Sequence, residues 1–248
     1  MKAIYILWLR QQKRYFRSRS RIVGSLGQPL LFLLALGFGF GPTFARAGGG
    51  SYIQFVTPGI ISMAILFTAI FSGVELIWDR QFGFLKETFV APVPRIIIVF
   101  GRALGGATVA LMQGTVVLIV CVLAGFRFEH LALLPVAIGF MLLISLLFTA
   151  IGTSFGSVLE DMQGFQLIMN FLVLPLFFFS NALFPAQGLP KVLQAVVRIN
   201  PLSYGIDGLR GALTHGFAFG LGVDVTTLGI LAMILLTLGA YLFSRIQL

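Results

Sequence analysis

Hydrophobic residues form long, nearly uninterrupted runs that short polar stretches separate, a pattern typical of a polytopic membrane protein. An α-helix needs about 20 apolar residues to cross a hydrocarbon core of about 30 Å, and the longest runs reach this length. The sequence therefore predicts an all-α fold, with six transmembrane helices in a single domain that covers residues 1–248. The predicted spans are residues 22–41, 55–77, 96–125, 131–157, 164–184 and 223–243.

The residues before the first span predict an interfacial helix. Residues 1–21 contain seven basic and no acidic side chains, and Ile4, Leu7, Trp8 and Tyr15 recur at helical spacing. A helix of this kind lies in the headgroup region of an anionic leaflet. The alternative is a positively charged flank that only sets the topology, and the two interpretations are compatible.

A second irregular stretch, residues 185–222, precedes the last span. It contains several prolines and glycines, together with charged residues. Two short apolar stretches lie within it, one on each side of Pro201, and neither is long enough to cross a membrane. We expect two short helices that dip into the outer leaflet or lie on it.

Composition agrees with lipid as the solvent, because 58% of the residues are hydrophobic and only 10% are charged. With both termini in the cytosol, twelve of the 17 Lys and Arg residues lie on the inner side. The positive-inside rule thus favours a multi-pass membrane protein with cytosolic termini. It also explains the net charge of +9 without a nucleic-acid ligand.

Motifs for catalysis or nucleotide binding are absent from the sequence. It contains neither HExxH nor GxSxG, no aspartate pair at metal-ligand spacing, and no GxxxxGK[ST] loop. The middles of the predicted spans carry no acidic or histidine residue of the kind that a proton-coupled carrier uses. We therefore expect a protein that is not an enzyme and holds no cofactor or metal, and whose energy source lies in another chain.

A charged segment, residues 78–95 (WDRQFGFLKETFVAPVPR), separates the second and third spans and is placed in the cytosol. Gly83 permits a turn or a close approach, and Pro92 and Pro94 fix φ just before the third span. The segment is either a docking element for a partner protein or a solvated loop with local ion pairs. Four charged side chains are available to fix the register of such a partner: Asp79, Arg80, Lys86 and Glu87.

Two charged residues fall near the inner ends of predicted spans. Glu75 is expected to reach the interface or to pair with a base, in preference to contacting a substrate. Arg102 is expected to extend its side chain to the cytosolic interface. Small residues at helical spacing predict close helix contacts at Gly101, Gly105, Gly106, Gly152 and Gly156.

Two motifs together resemble a known family. One is D-R-x-x-G-x-L-K-E followed by A-P-V-P-R in residues 79–95, and the other is N-P-L-S-Y-G-I-D-G-L-R in residues 200–210. With the basic start and the six spans, the chain resembles the membrane subunit of type-2 ABC exporters, which include drug, polysaccharide and lipid export permeases. The resemblance implies coupling to an ATPase through Asp79, Arg80, Gly83, Phe84, Lys86, Glu87, Pro92, Pro94 and Arg95. It implies a family signature before the last span at Asn200, Pro201, Tyr204 and Arg210.

The resemblance also implies a location in the bacterial plasma (inner) membrane, partners and a function. Two copies of a separate cytosolic ATPase would bind ATP and Mg, and a second permease copy would complete a homodimer surrounded by membrane lipids. The expected function is export of an amphipathic, lipid-like or polysaccharide substrate from the cytoplasm or the inner leaflet. The alternative is a membrane scaffold or assembly subunit that transports nothing, and a lipid-modifying enzyme is a more distant one.

Overall fold

The computed structural model describes residues 2–46, 51–90, 93–129, 131–185, 189–214 and 216–245, and the regular structure in these ranges is helical. This confirms the predicted all-α class. The helices are α1 (Lys2–Arg17), α2 (Arg19–Phe32), α3 (Gly41–Arg46), α4 (Tyr52–Phe71), α5 (Val74–Gln81), α6 (Phe84–Val90), α7 (Arg95–Leu123), α8 (Leu134–Val158), α9 (Met162–Phe178), α10 (Lys191–Ile199), α11 (Pro201–Thr214) and α12 (Leu221–Ser244). A π-helical stretch, Leu33–Phe38, continues α2, and a 3₁₀ turn, Leu131–Leu133, precedes α8.

Four helical segments in the described part of the chain are long and apolar enough to cross a membrane. They are α7, α8, α12 and the pair α4–α5, which together run from Tyr52 to Gln81. A fifth candidate combines α1 with residues 22–38, and the two halves of this pair are bent by 72°. The chain is thus a polytopic membrane protein with four or five candidate spans.

The predicted fifth span, residues 164–184, coincides with a shorter helix. α9 has 17 residues and ends at Phe178. A turn follows, in which Asn181 adopts the left-handed conformation with φ 62°. Asparagine tolerates this conformation better than most residues do, but the helix cannot continue through it.

The core forms around α4, whose side chains are buried by α2, α7, α8, α9 and α11. α12 packs against α8, α11 and α7, and it leaves apolar residues such as Ile230, Met233 and Ile234 exposed. An apolar exposed face is expected of a helix in contact with lipid. The enclosed α4 and the lipid-facing α12 therefore share α7, α8 and α11 as neighbours.

Glycines let the helices approach each other closely, as predicted. A Cβ atom added to Gly156 in α8 would lie 2.5 Å from the carbonyl oxygen of Gly73, in the break between α4 and α5. Gly152 likewise meets the backbone of Ile70. In α7, a Cβ atom at Gly105 would lie 2.6 Å from Cγ of Gln11, so α1 occupies the groove that this glycine leaves. Small residues at these positions bring the helix backbones into contact.

The two short helices predicted before the last span are α10 and α11. Most of the α10 side chains are exposed, as expected of a helix on a surface. α11 differs, because it is buried along most of its length and packs against α4, α8 and α12. The second short helix is therefore enclosed by protein.

Candidate functional site

We call the end of the bundle that contains Gly83 and Arg95 the inner end, following the predicted topology. Asp79 is the central residue there: its side chain is buried, with 5% of the residue exposed. The Arg10 guanidinium donates two hydrogen bonds to its carboxylate, of 3.1 Å and 2.8 Å. Arg102 donates to the same carboxylate. Asp79 thus joins α1, α5 and α7 at one point.

The positive charge at this point exceeds the negative charge. Arg14 lies 3.9 Å from the Glu75 carboxylate and 4.0 Å from that of Asp79, and its guanidinium covers the Trp78 ring. Glu75 therefore pairs with a base, as expected from the sequence.

The expectation that Arg102 extends to the interface is wrong, since its side chain is only 5% exposed. A buried guanidinium requires a carboxylate, and Asp79 supplies it.

A glycine turn connects this ion-pair cluster to α6. Gly83 has φ +76°, the left-handed conformation that glycine adopts at low cost, so the predicted turn is confirmed. No atom lies within 4 Å of a Cβ placed there, so the backbone angle, and not close packing, requires glycine. Phe84 begins α6, and the Arg10 guanidinium sits 3.6 Å above its ring centroid. Arg10 therefore contacts both sides of the turn.

One side of α6 is buried and the segment around it has exposed apolar residues. Leu85 is fully buried in a small cluster with Leu76 of α5, Val99 of α7 and Phe243 of α12. At the two ends of α6, by contrast, Phe82 is 82% exposed and Val90 is 86% exposed. Exposed large apolar residues in a segment bounded by polar residues are typical of a protein-contact surface.

The remaining predicted coupling residues are placed as follows. Lys86 and Glu87 belong to α6, but their side chains lie outside the described part of the structure, as does Pro92 entirely. Pro94 is the N-cap of α7, with φ −54°. Arg95 donates to the carbonyl oxygen of Ser244, which links the start of α7 to the end of α12.

Arg80 connects the inner end to the loop between α8 and α9. Its guanidinium donates to the Glu160 carboxylate at 2.8 Å, and the Gln81 side chain donates to the Glu160 carbonyl oxygen at 3.0 Å. Glu160 is 76% exposed, so this ion pair is accessible to solvent. The predicted loop after the fourth span therefore contacts the predicted coupling segment.

The second motif lies at the opposite, outer end. Asn200 separates α10 from α11: its amide nitrogen donates to the Leu176 carbonyl oxygen at 2.6 Å, and its amide oxygen accepts from the Leu202 N–H at 3.0 Å. Pro201 is the first residue of α11. The Tyr204 hydroxyl donates to the Arg198 carbonyl oxygen at 2.7 Å. The motif thus sets the angle between the two short helices and attaches them to α9.

Arg210 anchors the turn that ends α9. It donates to the Asn181 carbonyl oxygen at 2.9 Å, and its guanidinium lies 4.3 Å from the centre of the Phe55 ring. Burial lowers the pKa of Arg210 to about 10, and the neighbouring Asp207 carboxylate opposes that shift. The side chain is therefore charged at neutral pH. It supplies a hydrogen-bond donor to a carbonyl oxygen that would otherwise be unpaired.

The two motifs do not form one site. Arg210 contacts Phe55 near the start of α4, whereas Asp79 lies near the end of α5. Along the helix these two positions are separated by roughly 35 Å at 1.5 Å per residue. Among the described residues no group of three or more His, Cys, Asp or Glu side chains could hold a metal ion.

Sequence reasoning did not identify the residues that hold Asp79 in place. Arg10 and Arg14 were grouped with the other basic residues of the first helix. Their spacing of four positions, on the same helix face, was the available signal. It could not show which acid they contact.

Comparison with known proteins gives consistent results. A family model described as ABC-2 type transporter matches residues 2–214. Nodulation protein J of Rhizobium leguminosarum bv. trifolii is 29% identical over 210 residues, which cover 83% of this chain and 76% of that protein. The inner membrane transport permease YadH of Escherichia coli K12 is 26% identical over 251 residues, which cover 99% of this chain and 94% of that protein.

Proposed function

The chain belongs to the ABC-2 type transporter family, and from this premise we propose that it is the permease of an exporter. Membrane permeases of this family carry no ATPase, so hydrolysis takes place in a separate subunit. The exporter moves an amphipathic, lipid-like or polysaccharide substrate out of the cytoplasm or the inner leaflet. Its location is the inner membrane, as in the name of the related YadH.

The proposed topology has six crossings with both termini in the cytosol. α2 makes the first crossing, α4–α5 the second, α7 the third, α8 the fourth, α9 the fifth and α12 the sixth. Support comes from charge, because the inner side then carries twelve of the 17 basic residues. α1 lies at the cytosolic boundary, beside the inner half of α7, where Trp8 donates to Thr108.

The segment around α6 is the proposed docking surface for the ATPase. The main observation that supports this role is the Asp79 ion-pair cluster. It attaches the segment to α1 through Arg10 and to α7 through Arg102. Because these bonds are buried, a displacement of α6 moves three helices together. The exposed side chains of Phe82 and Val90 provide apolar contact area for the partner.

Two ATPase subunits and two copies of this permease form the proposed complex. Closure of the ATPase dimer on ATP moves the docking segments and shifts the helices between two packings. The substrate pathway lies between the two permeases. Of the first, second and fifth crossings expected to line it, the second (α4–α5) is largely buried within one permease, which leaves the first and the fifth. α9 supports this placement, since Leu167 and Phe171 on its outer face are 72% and 82% exposed.

Coexpression with a candidate ATPase and reconstitution of the complex in vesicles test this function. We expect the two subunits to copurify, and a fluorescent amphiphile to cross the membrane only when ATP is hydrolysed. A complex with the ATPase that moves no amphiphile under any condition would favour the scaffold function. Failure to form any complex with an ATPase would contradict export and would also favour the scaffold function.

A further inference from the structure

A groove along α1 contains more positive charge than the ion pairs use. It has a volume of about 960 Å³ and is lined by Ile6, Leu9, Arg10, Lys13, Arg14, Arg17 and Ser18. Arg10 and Arg14 face Asp79 and Glu75. Lys13 and Arg17 are exposed, and no carboxylate in the described ranges lies within ion-pair distance of them. The groove therefore has two cations that are not neutralised by the described residues.

The position of α1 makes these two cations significant. Its opposite face is fixed to α7 by three side-chain hydrogen bonds: Trp8 to Thr108, Gln12 to the Gly105 carbonyl oxygen, and Tyr15 to Gln113. α1 thus runs beside the first two thirds of a candidate membrane span, as far as Gln113. A cationic side chain beside a membrane span raises the free energy of the protein where it contacts hydrocarbon. It lowers the free energy where it contacts an anion.

A second, smaller cavity adjoins the same turn of α1. It has a volume of about 230 Å³, and it is formed where α2 passes α4. Polar side chains in its lining include those of Tyr15, Ser25, Gln28 and Thr68, and the aromatic rings of Phe67 and Phe71 complete it. This cavity offers polar and aromatic surroundings beside α1, and its described lining shares no residue with that of the groove.

We propose that the α1 groove binds the phosphate-bearing headgroup of an anionic amphiphile taken from the inner leaflet. Lys13 and Arg17 supply the charge, and Ile6 and Leu9 contact the apolar part next to the headgroup. The ligand comes from the membrane, because α1 and residues 22–38 form the bent helix pair that enters the bilayer. That this amphiphile is also the transported substrate rests on the export function proposed above.

Tryptophan fluorescence measures this binding directly. The chain has two tryptophans, Trp8 and Trp78, and both lie close to the groove: Trp8 is on the opposite face of α1, where it donates to Thr108, and the Trp78 ring lies under Arg14. The full chain is reconstituted in phosphatidylcholine vesicles that contain a small fraction of lipid with brominated acyl chains, which quench nearby tryptophans. We expect brominated phosphatidylglycerol to quench several-fold more strongly than the same fraction of brominated phosphatidylcholine.

The double variant Lys13→Gln/Arg17→Gln should lower quenching by phosphatidylglycerol to the level of phosphatidylcholine. The control Arg46→Gln/Arg198→Gln removes two exposed charges elsewhere and should keep the preference. Equal quenching by both lipids in the unmodified chain, or a preference retained by the groove variant, would overturn the proposal. So would displacement of the lipid by soluble pyrophosphate, which would identify a soluble anion as the ligand.

The experiment needs no ATPase, so it separates the two proposals. A lipid preference that disappears in the groove variant, in a chain that forms no complex with any ATPase, would support the headgroup site and contradict export. Equal quenching by both lipids, in a chain that assembles with an ATPase and exports an amphiphile, would contradict only the headgroup site.

Discussion

Arg10 and Asp79 are 69 positions apart in the chain, and two hydrogen bonds of 2.8 Å and 3.1 Å join their side chains at the inner end of the helix bundle. Arg102 completes the arrangement from the other side of the carboxylate. A bidentate pair of this kind fixes orientation as well as distance. It attaches the first helix to the segment that we assign to the ATPase contact.

Replacing Asp79 by Ala should lower the free energy of unfolding by about 3–5 kcal/mol, because Arg102 would remain buried without its carboxylate. The matched control is Arg80→Ala. Its partner Glu160 is 76% exposed, and pairs of this kind contribute less than about 1 kcal/mol. Denaturant titration in detergent micelles measures both losses. Equal losses for the two variants would show that the buried cluster does not stabilise the fold.

Gly83 should tolerate Asn but not Val. Its φ of +76° is accessible to Asn at modest cost, whereas a β-branched residue is strained there by about 1–2 kcal/mol or more. We expect Gly83→Val to weaken ATPase binding in a copurification assay and Gly83→Asn to retain it. Because no atom lies within 4 Å of the added Cβ, the difference would come from the backbone angle and not from a clash at that atom. Retention of the complex by Gly83→Val would remove this turn from the coupling mechanism.

Gly152→Ala and Gly139→Ala should change stability in opposite directions. The added methyl group at Gly152 overlaps the backbone of Ile70, so α8 must move away from α4 at a cost of about 1–3 kcal/mol. Gly139 lies on the same helix and has no atom within 4 Å of a Cβ. Alanine there should stabilise the helix by about 0.5–1 kcal/mol. Thermal unfolding of both variants in the same detergent gives the comparison.

Asn200→Ala should destabilise the outer end by about 1–2 kcal/mol, because it removes both the cap of α11 and the bond to α9. Asn200→Asp keeps an acceptor for the Leu202 N–H but no longer donates to the Leu176 carbonyl oxygen, and should lose less. Hydrogen exchange of the α11 amides locates the change. Protection that falls equally across all helices would contradict a local role.

Asp224→Asn should stabilise the protein. Asp224 is fully buried and faces the like-charged carboxyl group of Asp207, and the described residues offer no N–H or hydroxyl donor to either of its oxygens. An amide removes the charge and offers a donor to Asp207, for a gain of about 1–3 kcal/mol.

The converse variant, Asp207→Asn, provides the control. Asp207 accepts hydrogen bonds from the backbone N–H groups of Ala218 and Phe219, and an amide weakens them. It should therefore lose about 1.5–3 kcal/mol. If both variants shifted the midpoint of thermal unfolding in the same direction, the distinct environments of the two carboxyl groups would play no part in stability.

The sequence predicted those features that depend on local pattern. Hydrophobic runs located α7, α8 and α12, and a single glycine located the turn at Gly83. The pairing of Glu75 with a basic residue followed from the free-energy cost of an unpaired carboxylate near the membrane. These conclusions needed only neighbouring residues and the chemistry of the bilayer.

Features that depend on contacts between residues far apart in the sequence could not be predicted. The partners of Asp79 lie 69 and 23 positions away in the chain, so its burial could not be inferred from its own segment. The end of α9 is another example. Arg210 lies 29 positions after Asn181 and donates a hydrogen bond to its carbonyl oxygen. Without knowledge of that bond, the sequence of residues 179–182 predicts that the helix continues.

The contact between Gly73 and Gly156 divides the α4–α5 pair into unequal arms. α4 has 20 residues and α5 has 8, so the arms are about 30 Å and about 12 Å long. If the pair rotates about this backbone contact as one body, each 1 Å of travel at Gln81 becomes about 2.5 Å at Tyr52. With that rotation, a short stroke at the proposed ATPase contact would produce a larger displacement at the outer end of α4.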